Sequence, residues 1–141
     1  MQGSATPPRF SVSRHAYASL VGQAYDCYPE EACGLLAGHP GRDDATVFYP
    51  CENLTHSGKV YTISPRDHLR AERDAEGRGL EIVGVVHSHT HTEPFPSPTD
   101  VAQAPDPSWR YLIVSLKREA PETRAYRIVD GEITEEGLDI V

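Results

Sequence analysis

Apolar positions recur along this chain with two different periods. Between Ser13 and Tyr25 the residues Leu20, Val21, Ala24 and Tyr25 fall on one helical stripe, with Ser13 as an N-cap before them and Pro29 beyond them. That spacing predicts a helix. Residues 33–38 and 45–49 are short apolar runs separated by the turn-forming stretch 39–44, a pattern that predicts a hairpin. Residues 60–63 read as a further short strand. Ser64 at the N-cap and Pro65 at the first helical position then open a charged helix ending near Gly77 to Gly79. Residues 80–86 form an apolar run rich in β-branched side chains and lead directly into His87-Ser88-His89. A loop with Pro94, Pro96 and Pro98 follows, and Ser97 to Asp100 opens a short helix that Pro105 and Pro107 stop. Residues 111–116 and 123–129 are strong strand candidates, and Asp130-Gly131 turns the second into Ile133. There is no internal repeat. The alternation of strands and helices predicts an α/β domain with a central sheet.

At 141 residues the chain suits one domain, large enough to bury a core without disulfides or a structural metal. Residues 1–10, polar and proline-containing, read as a flexible leader, with the domain spanning 11–141. The net charge of −8, with Asp130, Glu132, Glu135, Glu136 and Asp139 near the C-terminus, argues against a nucleic-acid partner, which needs a basic face. Cys27, Cys33 and Cys51 are odd in number and lack CxxC spacing, as expected of reduced thiols in a cytoplasmic protein. Cys33, in an apolar run beside Gly34, reads as a buried structural thiol. Neither a signal-peptide core nor a membrane span is expected.

The candidate chemistry lies in HSHTHTEPFPSPTD, residues 87–100. A strand repeats every two residues, so His87 and His89 face the same side. With Asp100 from the following helix they offer three ligands and leave a fourth tetrahedral position open, the catalytic form of a zinc site. Iron and manganese accept the same ligand types. An isolated HxH is more often an ordinary polar strand end, and S-x-x-D before a helix is also a capping box, so Ser97 and Asp100 have a structural use as well. The two uses need the same local geometry. His91 continues the alternation and is an alternative third ligand, although the loop beginning at Thr92 favours contact with solvent or substrate; Glu93 reads as solvated. A TIM-barrel hydrolase needs about 250 residues. The zinc deaminase motifs and HExxH are absent from the sequence. Hydrolysis also needs a base for the attacking water, and the acidic pair Glu30-Glu31 is the best candidate, although alone such a pair is more often surface charge.

Taken together, Glu31-Ala-Cys-Gly34 and His87-Ser-His89 with Ser97 and Asp100 resemble the JAMM (MPN+) metalloprotease family, whose pattern is E-x-x-G followed by H-S/T-H-x7-S-x2-D. The resemblance spans about Phe10 to the C-terminus. It implies a JAMM/MPN domain of cytidine-deaminase-like type: a central mixed, curved sheet flanked by helices. It also implies that His87, His89 and Asp100 hold one zinc ion, that Glu31 orients and deprotonates water, and that Ser97 donates a hydrogen bond to the oxyanion. Pro29 to Gly38, the segment Pro96 to Val101 and the ending Tyr126 to Gly131 look most like actinobacterial Mec-type peptidases, which release cysteine from the C-terminal glycine of a CysO-type carrier. The implied partner is a small ubiquitin-like sulfur-carrier protein ending in Gly-Gly, in cysteine biosynthesis or sulfur transfer. Lys59, Arg66 and His68 are candidate cations for the leaving amino acid's carboxylate. A homodimer is compatible with this reading. Processing of a short C-terminal extension on the carrier and a non-catalytic MPN scaffold are the alternatives.

Overall fold

The structure is a computed structural model describing residues 8–141, so residues 1–7 of the expected leader lie outside it. The leader does not extend to residue 10. Arg9–Val12 forms strand β1, and Phe10 and Val12 are fully buried. This strand has only four residues, and its partners come from far along the chain. It runs parallel to both β3 (Asp44–Ala45) and β8 (Glu132–Ile140). The remaining strands are β2 (Cys33–Gly38), β4 (Val47–Cys51), β5 (Glu81–His89), β6 (Arg110–Ser115) and β7 (Glu122–Val129). All eight join in one mixed sheet of order β3-β1-β8-β7-β6-β5-β2-β4. Helices α1 (Arg14–Cys27), α2 (Pro65–Gly77) and α3 (Pro98–Ala102) complete the α/β architecture.

The sheet divides the core in two, and strand alternation decides which side each residue joins. Leu36, Val86, Leu112, Val114 and Ala125 pack with Ala16, Leu20 and Ala24 of α1. Leu35, Val85, Tyr111, Ile113 and Tyr126 pack on the opposite face with Ala71 of α2. With both faces covered, β2 and β6 are buried at every position, which explains their continuous apolar runs. α1 begins as expected, with Ser13 Oγ accepting from the Ala16 N–H at 3.2 Å. α2 begins the same way at Ser64.

The expected hairpin is split. The run 45–49 divides at Thr46, whose N–H donates to the Ala37 carbonyl at 2.8 Å; Asp44 and Ala45 turn away to β1, while β4 continues antiparallel to β2. Residues 60–63 are not a strand, and only an isolated bridge links Ile63 to Asn53. The Asn53 side chain takes the backbone groups that a ladder would use. Its Oδ1 accepts from the Thr55 and Thr62 N–H groups, and its Nδ2 donates to the Val60 and Glu31 carbonyls. β2 and β5 slip register between Leu36 and Ala37, so that Val83 stands opposite no residue while Gly84 pairs with Leu36 and Ile82 with Ala37.

Gly34 is required by close packing: a Cβ there would lie 2.5 Å from the Tyr49 carbonyl oxygen and against the Phe48 ring. Gly34→Ala is expected to destabilise the protein by on the order of 1–3 kcal/mol, as overpacking does. Urea unfolding checks this, and an unchanged midpoint would show that β4 yields without strain.

Candidate metal centre

His87 and His89 end β5 on the α2 face of the sheet, the side shared by Val85. Both are buried, 2% and 5% exposed. α3 brings Asp100 to them. Asp100 Oδ2 lies 3.2 Å from His87 Nε2 and 3.1 Å from His89 Nε2, and the two Nε2 atoms are 3.2 Å apart. Tetrahedral zinc with bonds of about 2.0–2.1 Å has ligand atoms roughly 3.3 Å apart, close to these edges. Among the described residues this is the one His/Cys/Asp/Glu cluster converging in this way.

The donor set itself calls for a cation. His89 Nδ1 donates to the Glu93 carbonyl at 2.8 Å, which leaves the Nε2 lone pair facing the centre of the triangle. His87 is stacked on Tyr61, with ring centroids 4.5 Å apart, and burial lowers its pKa, favouring the neutral ring. Burial acts to raise the Asp100 carboxyl, but its close contacts with both imidazoles and the hydrogen bond from the Ser97 N–H outweigh it and hold the group well below the usual carboxylate range. Burial acts likewise to lower His89, and is outweighed by Asp100, the Glu93 carbonyl and Glu31, so its pKa is raised. Two buried imidazole nitrogens and a partly buried carboxylate oxygen this close together are the surroundings a divalent ion stabilises.

The short helix forms the expected capping box and sets Asp100 beside the two histidines. Ser97 Oγ accepts from the Asp100 N–H at 3.0 Å, and Asp100 Oδ2 accepts from the Ser97 N–H at 2.8 Å. The oxygen that completes the capping box is the one in the triangle. Having accepted through oxygen, Ser97 keeps its hydroxyl proton for donation.

Glu31 lies between α1 and β2, 4% exposed. Its main chain is held on both sides, its N–H donating to the Ser57 carbonyl at 2.7 Å and its own carbonyl accepting from Asn53. Oε1 is buried with no partner among the described residues, an exception to the rule that buried polar atoms are hydrogen-bonded. Burial raises this carboxyl to about 7; His89 opposes the rise and Asp100 adds to it. Glu30 differs: it is half-exposed and paired with His56.

Several contributors were not singled out from the sequence. Ser88, between the histidines, accepts from the Ala32 N–H at 2.8 Å through Oγ while its own N–H donates to the Ala32 carbonyl, tying the Glu31 segment to the histidine strand. The hydroxyl in H-S/T-H was the available signal. Tyr61 and Asn53 carried none. His91 is exposed and edge-on to Tyr28, outside the triangle. Glu93 is not merely solvated, since Arg118 and Lys117 bind its carboxylate and pull its pKa down to about 2. His68 pairs with Glu72 and lines a cleft of about 280 Å³ with Leu35, Tyr61 and Trp109; Lys59 and Arg66 are exposed. Cys33 is buried, as expected, and burial keeps its thiol far above the normal range.

Residues 13–129 match the family of prokaryotic homologs of the JAB domain, and the chain belongs to that family. The resemblance read from the motif is thereby borne out. A CysO-cysteine peptidase from Mycobacterium tuberculosis is 39% identical over 124 residues, covering 87% of this chain and 85% of the relative. A desampylase from Haloferax volcanii is 33% identical over 112 residues, 79% of this chain and 78% of that protein. The solution structure of a protein from Desulfitobacterium hafniense superposes with a TM-score of 0.85 at 32% identity, covering 94% and 92% of the two chains. The crystal structure of a JAB1/MPN domain protein from Archaeoglobus fulgidus shares the fold, with a TM-score of 0.61 at 21% identity over 92% of this chain and 99% of that one. No helix among the described residues is long and apolar enough to cross a membrane.

Proposed function

We propose that this protein is a zinc-dependent peptidase that hydrolyses the amide bond after the C-terminal diglycine of a small ubiquitin-like sulfur-carrier protein, releasing cysteine or a similar amino-acid adduct. The observation that carries the reading is the largely buried triangle of His87 Nε2, His89 Nε2 and Asp100 Oδ2, with the unpartnered Glu31 Oε1 electrostatically coupled to it. Two relatives support the substrate class, one named for a CysO-cysteine adduct and the other a desampylase.

His87, His89 and Asp100 would hold the ion. Bound there, zinc supplies Lewis-acid polarisation of the scissile carbonyl and acidifies water toward pKa 7. Glu31 takes the proton of the attacking water and returns it to the leaving amine, for which a carboxyl titrating near neutrality is well matched. The Ser97 hydroxyl donates to the oxygen on which negative charge develops. Ser97→Ala is expected to reduce turnover by about 10² to 10³ and stability by only about 1 kcal/mol, the cost of a lost cap. Steady-state kinetics beside thermal unfolding separates the two effects; losses of similar size in free energy would leave Ser97 a cap alone.

The direct test is to incubate the protein with a diglycine-ended carrier bearing a C-terminal cysteine and to follow the carrier's mass with and without chelator. Loss of the cysteine mass only when zinc is present supports the reading. Cleavage that is indifferent to chelator, or none by protein carrying stoichiometric zinc, overturns it. Release of a longer extension but not of cysteine would favour carrier maturation instead.

A further inference from the structure

The seven residues from Thr90 to Pro96 separate the two histidines from Ser97 and Asp100, and no strand ladder organises them. Pro94 and Pro96 supply no N–H groups. Three consecutive carbonyls of this loop are instead held by side chains. Ser115 Oγ donates to the Thr92 carbonyl at 2.6 Å. His89 Nδ1 donates to the Glu93 carbonyl at 2.8 Å, which also accepts from the Phe95 N–H. The Tyr126 hydroxyl donates to the Pro94 carbonyl. Ser115 ends β6 in register with His89, and its hydroxyl also accepts from the Lys117 N–H. Tyr126 lies in the middle of β7. Both are 1% exposed, so the anchors belong to the rigid sheet rather than to the loop.

The middle carbonyl is the one that fixes the tautomer and ring direction of His89, and its two neighbours are pinned from the sheet. We propose that Tyr126 and Ser115 are positioning residues for the metal site: by holding the Pro94 and Thr92 carbonyls they fix the Glu93 carbonyl between them, and through it the Nε2 of His89 relative to Asp100. Neither side chain belongs to the ligand triangle. The inference rests on the zinc reading and extends it to residues outside the motif. Groups that orient a ligating histidine typically change metal affinity by about 10- to 100-fold when removed.

Zinc dissociation constants measured by competition with a chromophoric chelator test this without reference to turnover. Tyr126→Phe keeps the buried ring and removes only the hydroxyl, and is expected to weaken zinc binding about 10- to 100-fold. Ser115→Ala should shift it in the same direction, an independent test should the first variant fold poorly. Tyr111→Phe is the control. Its hydroxyl donates to the Asp106 carbonyl at 2.6 Å in a different loop, and its loss should leave zinc affinity at the wild-type value. Wild-type affinity in both Tyr126→Phe and Ser115→Ala overturns the proposal, as does an equal loss in Tyr111→Phe. Wild-type protein that takes up no zinc overturns the metal reading itself, and this inference with it.

Discussion

Glu31→Gln is expected to abolish most turnover, by about 10² to 10⁴, while the protein still takes up one zinc ion. Glutamine keeps the shape of the buried side chain and cannot accept the proton. The same variant should be more stable than wild type once metal is removed. In the fold the Glu31 carboxyl titrates near 7 rather than at its ordinary 4.5, because burial disfavours the charge. A group raised in this way contributes stability that is fully present below about pH 4.5 and lost as the pH rises through about 7. Metal-free wild type should therefore fall behind the variant across that window. Above it the gap should level off at on the order of 1–3 kcal/mol. Urea unfolding of both chelator-treated proteins from pH 4.5 to 8.5 would show this, and a difference that does not change with pH would contradict it. Holding the buried Glu31 carboxylate ionised costs stability, a cost that the proposed role as a base accounts for.

Zinc itself should give the second large effect. At about a thousand times its dissociation constant a ligand that binds only the folded state stabilises by about 4 kcal/mol, which for a domain of this size raises the melting temperature by roughly 8–16 °C. Asp100→Asn should lose most of that rise, because the anionic member of the triangle is gone. His91→Ala should keep it, since His91 lies outside the triangle. Calorimetry with and without added zinc distinguishes them. A full zinc shift in Asp100→Asn, or its loss in His91→Ala, would require a different ligand set.

The geometry of the candidate site was largely legible because it follows short-range rules. The period of a strand puts His87 and His89 on one face, and an S-x-x-D cap draws Asp100 toward the end of that strand. Glu31 was a different matter. Nothing local separates it from Glu30, and only the spacing to Gly34 singled it out, whereas in three dimensions burial divides the two. The parts of the fold that sequence reading missed depend on partners far away in the chain. β1 is four residues long and becomes a strand by lying between β3 and β8. The opposite error at residues 60–63 has the same origin. Their β-branched and aromatic side chains suit a strand, but Asn53 reaches across the loop to take their backbone groups first. Support of this kind, like that of Ser115 and Tyr126 for the metal loop, comes from single side chains whose targets are carbonyls, and a carbonyl leaves no signature in a sequence.

The unpaired Val83 in β5 bears on how this site tolerates change in chain length. Because the histidines sit an even number of residues from the buried Val85, one residue added between Gly84 and His87 would turn both imidazoles to the α1 face and empty the triangle. On the other side of Val83 the pairing with β2 has already slipped by one. A residue gained or lost among Glu81–Val83 can be absorbed there, by enlarging or erasing the bulge, before the change reaches Gly84. The bulge acts as an expansion joint, and a one-residue change there can be taken up while His87 and His89 stay in phase.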